Sequence, residues 1–188
     1  MKTKIIELKQ KYFITLNPKA LTIFGIFLGS LLIAILAQIS IYIPFSPVPI
    51  TGQTIGILLI GSILGPKKGF LSVVIYLSEG LLGFPVFTKM NAGLPVLFGY
   101  TGGYLWSFLP AVYIIGYLSK KNFTNKAILN FISCLSVTLF ILIFGTIYLS
   151  LFFGINKALT IGFYPFVIVG IIKSLISATI ITIYKKLN

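Results

Sequence analysis

Two ionisable side chains stand inside apolar sequence, and both can do chemistry there. Lys173 lies within the run 160–184, about eight residues or ~12 Å of helix past Pro165. An ammonium placed so deep either meets an anionic or strongly polar ligand group in a cavity or reaches water through a crevice. Glu79 lies ~6 Å from the end of the run 69–83. It either pairs across a cavity with Lys173, directly or through a ligand, or is neutralised or capped by backbone, because desolvation favours the uncharged acid. The expectation is that the two face each other across one cavity.

Other chemistry is closed off. The chain has no His, one cysteine (Cys134) and two acids (Glu7 and Glu79), which leaves no ligand set for zinc or haem and no cofactor to expect. No catalytic residue is assigned. A lipid-processing enzyme with Glu79 and Lys173 as acid and base lacks a nucleophile–base pair and a second acid. Gly65-Pro66-Lys67-Lys68-Gly69 lacks the phosphate-loop spacing, so the chain does not hydrolyse ATP.

Small residues mark two further stretches. In the run from Leu97 to Trp106, Gly102 and Gly103 permit close approach by a backbone or a ligand, while Thr101 and Tyr104 supply hydroxyls. Helix packing and ligand contact explain that run equally well. Gly25, Gly29, Ser30, Ala34 and Ala37 form a small-residue stripe that reads as an association face. Spacing does not say whether its partner is the same chain or another protein.

The elements that position these residues follow from composition. Of the 188 residues 57% are hydrophobic and only 9% charged, against ~45–50% and about a quarter in soluble domains. A chain of this length cannot hide that much apolar surface from water, so the lipid bilayer is its solvent. The net charge of +13 comes from lysines at segment ends, with no Arg to read base edges, which excludes nucleic acid. Runs 21–43, 94–118, 127–153 and 160–184 each reach the ~20 residues of a bilayer crossing. Runs 52–64 and 69–83 are shorter and cross shielded by neighbours.

With residues 1–19 as a basic cytoplasmic lead-in, twelve lysines fall inside and only Lys89 and Lys157 outside. That asymmetry predicts one all-α, six-helix polytopic domain over 1–188, multi-pass in the cell (inner) membrane, with both termini cytoplasmic. Two outer connections, Pro44–Pro49 and 84–95, are rich in proline and aromatics. They predict stiff loops that roof a cavity.

In order, these landmarks resemble the BioY family, the biotin-binding S components of energy-coupling-factor (ECF) vitamin transporters. The matching residues are Ala37-Gln38-Ile39-Ser40-Ile41, the stretch from Phe45 to Thr51 with Gln53-Thr54, and Leu64 to Gly69. Further on come Tyr76, Glu79-Gly80, Gly83 to Phe87, Gly99 with Thr101 to Tyr104, and Pro165-Phe166 with Lys173. Together they span residues 30–175. Two positions depart: the acid of the family's P-F-x-x-x-D-x-x-K pattern falls at Gly170, and Gly99-Tyr100-Thr101 replaces G-P-T.

The resemblance implies a substrate-capture subunit with an outward-facing pocket and an S-component-like bundle. Biotin would lie against Phe87, Tyr76 and Tyr104, and its polar ends would meet Lys173, Asn91, Glu79 and Thr101, with Gln53 in the same set. Glu79 is expected to supply the carboxylate missing at Gly170. The family's transmembrane T component and two ATPase subunits would dock on the small-residue stripe of the first helix. A solo facilitator, or an S component for another small vitamin, are the alternatives, and a scaffold subunit explains the stripe but not Lys173.

Overall fold

The computed structural model describes residues 17–120 and 127–187. The expected lead-in over 1–19 therefore falls almost entirely outside the described residues. The described chain is helical apart from one short ribbon and the connections. Helix α1 (Pro18–Gln38) starts with proline at its first turn, where no N–H is needed, and Asn17 Oδ1 accepts the Lys19 N–H at 3.0 Å. It ends before the expected boundary at residue 43.

The reason for that early end is a two-residue antiparallel ribbon. Strands β1 (Ser40–Ile41) and β2 (Ile50–Thr51) pair Ser40 with Thr51 and Ile41 with Ile50, bracketing the proline loop. Helices α2 (Gln53–Leu64) and α3 (Pro66–Leu81) are separated by Gly65 alone. Gly65 has φ 81°, which glycine adopts without steric cost, and Pro66 opens the next helix. α3 thus begins three residues before the run expected at 69–83.

The segment expected over 94–118 is two helices. The short α4 (Leu94–Phe98) is followed by a turn, and α5 (Gly102–Lys120) starts afresh. Pro95 opens α4, and Gly99 leaves it with extended backbone, ψ −175°. Helix α6 (Ala127–Phe153) is continuous. Helix α7 (Ile155–Leu187) contains a π-helical stretch over Leu159–Phe163, just before Pro165. Among the described residues three helices, α1, α6 and α7, are long and apolar enough to cross a membrane by length and composition.

Close crossings hold the bundle. A Cβ on Gly116 would lie 2.6 Å from the backbone nitrogen of Pro66, so α5 passes directly against the α2–α3 turn. At that same end stand the cations. Lys120 packs against Gly65, Lys185 Nζ donates to the Ser119 carbonyl at 3.0 Å, and Lys68 Nζ donates to Thr22 Oγ1 at 3.3 Å. The proline-rich connections gather at the opposite end.

Gly29, Ser30 and Ala37 of the small-residue stripe of α1 pack inside the chain. Gly29 faces Ser72 of α3, where an added Cβ would come within 2.5 Å of the hydroxyl. Ser30 and Ala37 are fully buried, and Gly25 faces Leu64. Gly25 and Ala34 are only half-buried, and a Cβ on Gly25 would meet no more than the Leu64 side chain at 3.9 Å. Interhelical bonds explain the choice: Ser72 Oγ donates to the Ile26 carbonyl at 2.9 Å, as small polar residues do between apolar helices.

Candidate functional site

A cavity of about 390 Å³ opens at the proline-loop end. Its rim comes from two connections: Tyr42, Pro47, Val48 and Pro49 on one side, Thr88 and Asn91 on the other. Its walls are Gln53 and Thr54 of α2, the Gly99–Thr101 turn, and Tyr104, Leu105 and Phe108 of α5. Its floor is Thr138, Ile141 and Leu142 of α6 with Phe166, Gly170 and Lys173 of α7. Apolar walls with a few convergent polar groups are the normal make-up of a small-molecule site.

The roof is anchored by backbone chemistry. Pro165 has no N–H to offer the carbonyl of Ile161, four residues earlier, and the helix is π-wound through that stretch. Ser46 Oγ donates to that carbonyl at 2.6 Å and accepts the Val48 N–H at 3.1 Å. Tyr104 from α5 donates to the neighbouring Gly162 carbonyl at 2.9 Å. The second connection is held by Gln38 at the end of α1. Its Nε2 donates to the Phe87 carbonyl at 3.1 Å, and its Oε1 accepts the Met90 N–H at 3.0 Å.

Six of the eight expected binding residues come together: Gln53, Phe87, Asn91, Thr101, Tyr104 and Lys173 all line the cavity. Tyr76 stands one layer behind. It is fully buried, accepts from Gln53 Nε2 at 2.5 Å, and meets Phe87 edge to face at 5.5 Å. Thr51 Oγ1 donates to the other end of Gln53, Oε1, at 2.8 Å. Tyr76 therefore positions two wall residues rather than facing the cavity.

Glu79 is not brought to Lys173, which overturns the expected facing pair. It accepts from Ser30 Oγ at 2.6 Å and lines a separate crevice with Leu31, Ala34, Phe84 and Val86. The helical period explains this. Ser72 and Glu79 are seven residues apart, about two turns, and both face α1. Glu79 is the one acid among the described residues, so none of them supplies a carboxylate beside Lys173. At Gly170 the vacant side-chain position is bordered by α6: a Cβ would lie 3.0 Å from Thr138 Cγ2. Ser174 bridges the same contact to α6 by donating to Thr138 Oγ1 at 3.0 Å.

Several wall residues carried no signal in the sequence. Thr138 sits in the most apolar helix, and only its position facing Gly170 gives it a role. Tyr42 was covered by the first apolar run, yet it lies at the mouth. Partial burial and then the neighbouring Tyr100 raise its phenol above the ordinary value.

The sequence profile of the BioY family matches residues 8–188. The chain belongs to the BioY family. Among relatives of this family member, the probable biotin transporter BioY of Pyrococcus horikoshii is 38% identical over 152 residues, 81% of this chain and 86% of the relative. The biotin transporter BioY of Thermotoga maritima is 38% identical over 171 residues, 87% and 94% of the two chains. The fold agrees with a crystal structure of the S-component for biotin from an ECF-type ABC transporter. That likeness has a TM-score of 0.78 at 31% identity, over 92% of this BioY-family chain and 95% of the other.

Proposed function

We propose that this protein captures biotin in the cavity between its two roofing connections and serves as the substrate-binding membrane subunit of a biotin uptake transporter. The observation that carries the reading is Lys173, a cation on the floor of a largely apolar cavity with no carboxylate among the described residues beside it. Such a floor matches a ligand with an apolar body and one anionic end, and biotin's carboxylate is that end. The names of the relatives and the solved S-component support the same ligand. A binding subunit of this kind is not an enzyme, and no step of bond making is assigned to it.

Six helices crossing the membrane, with both termini cytoplasmic, accord with the cations gathered at the end away from the cavity. Lys67, Lys68, Lys120, Lys185 and Lys186 would face the cytoplasm and the cavity the outside of the cell (inner) membrane. Energy would come from ECF partners, a transmembrane T component and two ATPase subunits. The stripe of α1 serves internal packing, so a dock on this helix would use its exposed face, where Phe24, Phe27, Leu31 and Ile35 stand more than half exposed.

The test is equilibrium binding of labelled biotin to the purified, detergent-solubilised protein beside Lys173→Ala. One-to-one, saturable binding weakened roughly 10- to 150-fold in the variant is expected, the size of a lost charged hydrogen bond. A folded wild type that does not bind biotin would overturn the reading.

A further inference from the structure

Lys89 does not line the cavity, yet it reaches across the mouth. Its Nζ lies 3.7 Å from the ring centroid of Tyr42, a rim residue on the opposite connection. An ammonium over a ring face is attracted by the ring quadrupole. The backbone beneath it is unusual. Lys89 and Met90 both have positive φ, 58° and 56°, a conformation that L side chains rarely adopt.

That conformation persists only because the surroundings over-determine it. Gln38 holds the Met90 N–H, and the Phe87 N–H donates to the Asn91 carbonyl at 3.0 Å across the loop base. Asn91 Nδ2 also donates to the Thr88 carbonyl at 2.9 Å. The tight turn projects Lys89 away from its own connection and onto Tyr42.

We infer that Lys89 is a positioning residue that clasps the two connections through the Tyr42 ring and so sets how long a ligand stays in the cavity. The inference rests on the biotin-capture reading of the same site. Lys89 acts through Tyr42: its charge holds the ring down, and the ring closes the mouth. The clasp crosses the mouth rather than the wall, so its removal speeds exit and entry together and moves the equilibrium constant less.

The experiment is biotin association and dissociation kinetics on the purified full chain, with Lys89→Gln, Lys89→Arg, Tyr42→Leu and the double variant Lys89→Gln/Tyr42→Leu. Lys89 is exposed, so its variants fold. Dissociation about two- to fivefold faster is expected for Lys89→Gln, with Lys89→Arg close to wild type, since the cation survives in it. In the double variant the two effects should not add. Wild-type dissociation in Lys89→Gln, or fully additive effects, overturns the clasp while leaving biotin capture intact. A wild type that binds no biotin overturns the capture reading and the clasp with it.

Discussion

Ser46 Oγ lies 2.6 Å from the carbonyl of Ile161, to which Pro165, four residues on, has no N–H to offer. A carbonyl in the last helix and a serine in the first outer connection are thus one structural unit, 115 residues apart in sequence. The unit ties the roof of the cavity to the helix that carries Lys173.

Removing the hydroxyl should undo that tie. Ser46→Ala leaves the Ile161 carbonyl buried without its side-chain donor, at a cost of about 1–3 kcal/mol. Thermal unfolding in detergent should show the loss, and biotin protection against heat should shrink with it. An unchanged melting temperature would mean that water replaces the hydroxyl.

Tyr76→Phe tests the layer behind the wall. The variant keeps the edge-to-face contact with Phe87 but strips Gln53 Nε2 of its acceptor. Biotin affinity should fall several-fold although Tyr76 does not line the cavity, because Gln53 is no longer held by both ends. Equal affinity in the two proteins would count against a positioning role.

Glu79→Gln separates the crevice from the cavity. Ser30 can still donate to the amide oxygen, so stability should fall by no more than about 1 kcal/mol. Biotin binding should be unchanged, since Glu79 lies outside the cavity wall. A large loss of affinity would restore Glu79 as the missing acid.

Gly29→Val distinguishes packing from docking. An added Cβ would press on Ser72 and on Leu64, so the variant should lose folded yield and thermal stability, typically by 1–3 kcal/mol or more for an overpacked contact. A stable, biotin-binding variant that only fails to assemble with partner subunits would reinstate the stripe as the dock.

Membrane residence and helical class follow from one-dimensional patterns, since hydropathy sums along the chain without reference to contacts. The roofing connections and Lys173 are legible for the same reason: prolines cluster locally, and a cation within an apolar run stands out whatever it touches. Family membership also lies in the residues themselves, in the stretches around Pro47 and Thr101.

What a polar residue faces is a different matter. Glu79 and Lys173 both lie inside apolar helices, but position along a helix carries no azimuth, and the rotation of α3 turns Glu79 to Ser30. The stripe on α1 has the spacing of an association face, and only the tertiary structure shows that α2 and α3 already fill it. Tyr42 against Lys89 and Ser46 against Ile161 join residues whose separation in sequence has no period. Local propensity sets where each helix starts and stops, whereas pairing across the cavity depends on how all the helices pack at once, and that is decided only in three dimensions.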